Sequence, residues 1–157
     1  MLCQFSFNNF KSYKDETVFD MQAANLPEFA ENIIYCKQAS NLLPVAAIYG
    51  PNGGGKTNML QALTCLISTV VKPIYDMEKN RIKLIVQQKA ACTPFLFDEK
   101  TSNEPTEFLL YFRTNGYEYR YYLSMLHDEI IAEALDRKKI GGKRTAHIFD
   151  REKKLLL

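Results

Sequence analysis

The chain has 157 residues, of which 46% are hydrophobic and 24% charged. That balance supports one folded domain with a real core and excludes a disordered tail. The formal net charge of +2 is too small to mark a nucleic-acid surface by itself. Nine Tyr and ten Phe, with no Trp, favour a sheet-rich component.

The four cysteines, Cys3, Cys36, Cys65 and Cys92, have neither the close spacing of a zinc knuckle nor that of a redox motif. Their wide separation in a chain this apolar predicts buried, reduced thiols rather than a disulfide framework. The first residues lack the basic start and apolar stretch of a signal peptide. The longest apolar run, residues 59–71, is short for a membrane span and is broken by Gln61, Thr64, Ser68 and Thr69. These features predict a cytoplasmic protein with no membrane partner.

In chain order, residues 2–7 alternate apolar and polar, the period-two pattern of a strand with one buried face. A turn follows through Asn8, Asn9, Phe10, Lys11, Ser12, Tyr13, Lys14 and Asp15, and a short strand is expected over 17–21. Residues 23–43, bracketed by Pro27 and Pro44, read as loop with one strand at 32–35. The continuous apolar run Val45, Ala46, Ala47, Ile48, Tyr49 predicts a strand buried on both faces. Beyond a glycine-rich loop, Met59, Leu60, Leu63, Leu66, Ile67, Val70 and Val71 recur with the spacing of an amphipathic helix packed on a sheet. Pro73, which has no N–H to donate, is expected to stop it. Residues 75–92 show a weak pattern, helical around 83–88. The last third reads as an antiparallel meander. Phe108, Leu110 and Phe112 alternate with Glu107, Leu109, Tyr111 and Arg113. Asn115-Gly116 suits a two-residue hairpin turn, and Tyr117, Tyr119, Tyr121 and Leu123 alternate back. His127-Asp128 predicts a second turn before a strand over 129–137, and Gly141-Gly142 a third.

Gly50-Pro51-Asn52-Gly53-Gly54-Gly55-Lys56-Thr57 matches G-x-x-x-x-G-K-[ST] at every fixed position. Phosphate oxygens need several backbone N–H groups converging on one point, which side chains would obstruct. Glycines 53, 54 and 55 let the chain wrap tightly, and the helix beginning near Lys56 turns its free N–H groups and positive end toward the anion. Lys56 carries a compact charge to the β- and γ-phosphates, and Thr57 offers a hydroxyl to Mg²⁺. The motif therefore predicts binding of ATP with Mg²⁺ by residues 50–58, with Thr57 on the metal.

Two features together resemble a family. The Asn9-Phe10-Lys11-Ser12 turn after an N-terminal strand resembles the N-F-[KR]-S turn of the SMC, RecF and OLD branch of ABC-type ATPases. The loop continuing into Asn58, Met59 and Leu60 looks like the G-P-N-x-x-G-K-[ST]-N-[LMF]-L version used there. Thr93-Pro94-Phe95-Leu96-Phe97-Asp98-Glu99, with Asn103 to Phe108, is similar to bacterial AAA family ATP-binding proteins of the OLD-like type, often encoded near phage-defence systems. The resemblance implies an α/β P-loop NTPase fold: the N-terminal lobe of an ABC-type ATPase, a mixed sheet beside an antiparallel meander. It implies that residues 1–157 form a single, incomplete head domain. In such a family Lys11 and Ser12 lie near the nucleotide, Asn52 supports the loop, and two heads sandwich ATP. DNA is a possible partner of the full-length protein. The charge run Arg137, Lys138 and Lys139 with Lys143 and Arg144 could touch its phosphates, but a solvated strand end is the stronger reading of that run.

Family members carry the signature segment, the Walker B acid, the catalytic Glu and a late His further along. Within this chain, residues 95–99 imitate a Walker B strand, with Asp98 for the metal and Glu99 for the water. Ile140-Gly141-Gly142 faintly resembles the signature, Gln87-Gln88 could position a water, and His127 and His147 read as turn or surface residues. Two alternatives stay open: a self-sufficient small NTPase or phosphotransferase using Asp98 and Glu99, and a non-catalytic module stabilised by nucleotide.

Overall fold

The structure, a computed structural model, describes residues 1–77 and 92–152. Six strands form one sheet: β1 Leu2–Asn8, β2 Thr17–Asp20, β3 Thr106–Thr114, β4 Tyr117–Leu126, β5 Glu129–Lys139 and β6 Thr145–Glu152. Their order is β2-β1-β3-β4-β5-β6, and every neighbouring pair is antiparallel. The meander from β3 to β6 follows from its turns. Asn115 and Gly116 take φ of 50° and 79°, and His127 and Asp128 take 48° and 64°. Both pairs have the left-handed backbone of a type I′ turn, whose twist matches that of paired strands.

One face of the sheet carries Phe5, Phe7, Phe108, Tyr121, Leu123 and Met125, all buried. The period-two alternation puts them on that face, and the register places Phe7 opposite Phe108 and Phe108 opposite Leu123. Helix α1, Lys56–Met77, covers this face with Ala62, Cys65 and Leu66, while Met59 and Leu63 pack at the margin. The rings interlock: Phe7 meets Phe10 and Tyr13 edge to face at 6.1 and 5.1 Å, and Phe5 stacks on Phe108 at 6.4 Å. Such pairs add to plain burial. Cys3, Cys65 and Cys92 are buried as expected, Cys36 is half-buried, and none of the four is in a disulfide. The Cys65 thiol is held protonated by a hydrogen bond with Cys92 and by burial.

Several expectations are corrected. The anticipated mixed sheet is antiparallel throughout the described residues, with one α-helix against it. Residues 45–49 form no strand, and Val45 and Tyr49 are 76% and 88% exposed. A doubly buried strand needs hydrogen-bonded neighbours and cover on both faces, and the described residues offer 45–49 neither. Pro73 does not stop α1, which runs on to Met77. A proline deprives the ladder of one bond, and a helix already more than four turns long can tolerate that loss. In place of a strand at 32–35, residues Pro27–Asn32 make a 3-10 helix and Ile34 forms an isolated bridge to Leu42. The helix expected around 83–88 lies outside the described residues, as do Gln87 and Gln88.

Candidate phosphate-binding site

The loop from Gly50 to Thr57 leads directly into α1, whose first residue is Lys56. Gly53 and Gly55 adopt φ of 82° and 84°, conformations that disfavour a side chain. Gly54 N–H closes a tight turn on the Pro51 carbonyl at 3.1 Å. The Lys56 ammonium folds over the loop and donates to the carbonyls of Gly50 and Pro51, each at 2.7 Å. Pro51, Asn52 and Thr57 are exposed, and Asn58 is half-buried.

The Asn9–Ser12 turn is packed against this loop. Asn9 and Lys11 take φ of 48° and 50°, which folds the chain tightly, and reciprocal backbone bonds between Phe10 and Tyr13 at 2.8 and 2.9 Å close it. Ser12 Oγ accepts from Asn58 Nδ2 at 2.9 Å, and Lys11 Nζ donates to Gln61 Oε1 at 2.6 Å on the first turns of α1. The Tyr13 hydroxyl donates to the Gly55 carbonyl at 3.2 Å. A Cβ on Gly55 would stand 2.9 Å from Ser12 Oγ and 3.1 Å from the Tyr13 hydroxyl, so the turn and the loop fit together only with glycine there. Lys11, Ser12, Gly55, Lys56 and Asn58 are thus neighbours across nearly fifty residues of sequence.

Two residues that the sequence placed in the turn, without assigning them a role, hold this arrangement. Tyr13 is one. Asn9, buried, is the other: its Nδ2 donates to the carbonyls of Thr101, Glu104 and Pro105 at 2.8, 2.9 and 3.2 Å, and its Oδ1 accepts from Phe95 N–H at 2.9 Å. An Asn beside a turn signals left-handed backbone, but partners ninety residues away leave no local trace.

Residues 95–97 are not a strand, and Leu96 and Phe97 are 65% and 88% exposed. They do not form the buried strand that a Walker B acid requires. Asp98 lies in this loop and pairs with Lys14 at 2.5 Å. The Lys14 hydrogen bond, aided by Lys100 N–H, holds its carboxyl below the usual range. Glu99 is exposed. His127 is a turn residue, as expected, whereas His147 has the partner that sequence spacing did not reveal: its Nδ1 lies 2.7 Å from Asp136 on the adjoining strand. Both Arg137 and its neighbours Lys138 and Lys139 are exposed, with Arg137 lying over the Tyr117 ring at 5.0 Å. Gly141-Gly142 is a turn between β5 and β6, and among the described residues a strand, not a signature helix, follows it. No group of His, Cys, Asp or Glu among the described residues is arranged to hold a metal ion.

A Cβ added at Gly53 would meet nothing within 4 Å, so the loop is open there and glycine is required by its backbone conformation alone. Thr57, exposed in the first turn of α1, is the residue that would reach the metal. A glycine loop, a lysine over it and a helix starting beneath it make up the phosphate-binding arrangement of P-loop ATPases.

Comparison with protein families agrees. Residues 45–151, more than half of the chain, match the family described as an AAA domain, AbiEii toxin-like, type IV toxin–antitoxin (TA) system. The chain belongs to this AAA domain family. The match begins at Val45, so the turn carrying Asn9, Lys11, Ser12 and Tyr13 precedes it. A comparison with curated proteins gives no match. No helix among the described residues is long and apolar enough to cross a membrane.

Proposed function

We propose that the chain is the ATP-binding head of an ATPase of the OLD/RecF/SMC-like branch, acting in an abortive-infection or other phage-defence setting. The observation that carries the reading is the junction of the Gly50–Thr57 loop with the Lys11–Ser12 turn over the start of α1. Gly53 and Gly55 present backbone N–H groups to the phosphates, with Gly50, Asn52 and Gly54 shaping the loop, the last through its N–H bond to the Pro51 carbonyl. Lys56 moves its ammonium from the carbonyls of Gly50 and Pro51 onto the β- and γ-phosphates, and Thr57 holds Mg²⁺. When bound, the metal supplies charge neutralisation across those phosphates.

In this reading the hydrolytic groups come from sheet and helix beyond these residues. The exposed Val45 and Tyr49 of the apolar 45–49 run and the exposed Leu60, Ile67 and Val70 of α1 support it, since they are surfaces a second sheet would cover. Two heads would close on ATP as a homodimer, and DNA is the partner proposed for the whole protein.

Purified chain assayed with Mg²⁺-ATP tests the reading against its rivals. ATP binding with negligible turnover, unaffected by Asp98→Ala, is the expected result. Turnover that Asp98→Ala abolishes would instead establish a self-sufficient NTPase. A non-catalytic module would show no turnover even with the remainder of the protein supplied.

A further inference from the structure

The geometry points to Tyr13 as a positioning residue of the phosphate loop, one that fixes the orientation of the Gly55–Lys56 peptide; this rests on the ATP-binding reading. Three observations converge on it. The Tyr13 hydroxyl donates to the Gly55 carbonyl at 3.2 Å. Its ring is seated edge-on against buried Phe7 at 5.1 Å, so the hydroxyl is aimed from the core and not from a mobile side chain. The ring also closes the space beside Gly55, where a Cβ would come within 3.2 Å of Tyr13 Cε2 as well as 3.1 Å of its hydroxyl.

A peptide has two polar ends pointing in opposite directions, and at a phosphate site the choice matters. A carbonyl turned into the loop would repel the anion, whereas the N–H of the same peptide attracts it. Gly55 has the backbone freedom to take either orientation. Three donors hold its carbonyl outward: Asn58 N–H at 2.8 Å, Met59 N–H at 3.2 Å and the Tyr13 hydroxyl. The first two come from α1 itself and are common to any helix start. Tyr13 is the donor that ties this peptide to the sheet, through Phe7 on β1. Preorganised N–H groups bind an anion better than groups that must first be ordered.

The test compares ATP with inorganic tripolyphosphate, both with Mg²⁺, on wild type, Tyr13→Phe, and a variant carrying p-aminophenylalanine at position 13. Removing the hydroxyl should weaken both ligands by a similar factor, about fivefold, the worth of one hydrogen bond, with the melting temperature little changed. The p-amino group restores a donor at the same place and should restore affinity. Both variants keep the ring against Phe7, so both retain the core. Equal affinity of Tyr13→Phe and wild type would overturn the inference. So would a loss confined to ATP with tripolyphosphate unaffected, which would mean that Tyr13 serves the base. A wild-type chain that binds neither ligand would overturn the ATP-binding reading itself.

Discussion

Asn9 shows how much one side chain can organise. Its amide satisfies three carbonyls and one N–H in the 95–105 loop, and its own carbonyl accepts from Thr106 Oγ1 at 2.6 Å. Truncation to alanine leaves several buried groups without partners, each costing about 1–3 kcal/mol. Asn9→Ala should therefore lower unfolding free energy by about 3 kcal/mol, read from the urea midpoint, and Asn9→Asp should not restore it, because the lost donor faces carbonyls. Asp136 gives a smaller, pH-dependent effect. His147 first, and Arg120 second, hold its carboxyl below the ordinary value. A folded-state pKa below the unfolded one stabilises at pH above about 3.9 and loses that contribution as pH falls through the folded value. These groups meet solvent, so the term is under ~1 kcal/mol. Urea midpoints between pH 2 and 5 should fall less steeply in Asp136→Asn than in wild type, and parallel curves would contradict this.

At the scale of the element, the helix–sheet contact and the hairpins can be tested separately. Leu66 is 1% exposed beneath α1, and Leu66→Ala should cost about 2–5 kcal/mol through lost burial and a cavity. Gly116 has φ of 79° with nothing within 4 Å of an added Cβ. Gly116→Ala is therefore strained by backbone alone and should cost about 1 kcal/mol. In the middle of the sheet, burial and then the Glu107 hydrogen bond push the Tyr122 phenol up to about 12. The folded chain keeps this proton above the unfolded value of about 10, so stability should decline as pH rises between those values. Tyr122→Phe should lessen the decline, followed by melting temperature against pH.

These elements also mark what was legible in the sequence. The meander could be read because its information is local: alternation names the faces of β3 and β4, and Asn115-Gly116 dictates its turn. The start of α1 and the glycine loop were legible for the same reason. Residues 45–49 were misread because their apolar run reports a preference for burial, and burial depends on neighbours that a run cannot supply. Pro73 was over-weighted, since the stripe around it propagates the helix despite one missing bond. Within the site, Lys11 and Ser12 came from a resemblance, while Asn9 and Tyr13 act on residues between 42 and 97 positions away and could be found only in three dimensions.

At the scale of the whole molecule, one sheet face is filled by α1, while Leu60, Ile67 and Val70 of that helix remain exposed, as do Val45 and Tyr49 of the apolar 45–49 segment. Exposed apolar side chains on this scale favour association. Sedimentation should show concentration-dependent self-association, reduced by the pair Leu60→Lys and Ile67→Lys, both of which lie outside the phosphate loop. The central claim is that the loop ending in Lys56 holds a nucleotide triphosphate. Calorimetric titration of the purified chain with Mg²⁺-ATP, beside Lys56→Ala, tests it most directly. Saturable binding in wild type that is lost in the folded mutant is the predicted result; equal binding by the two, or none by the wild type, would contradict the account.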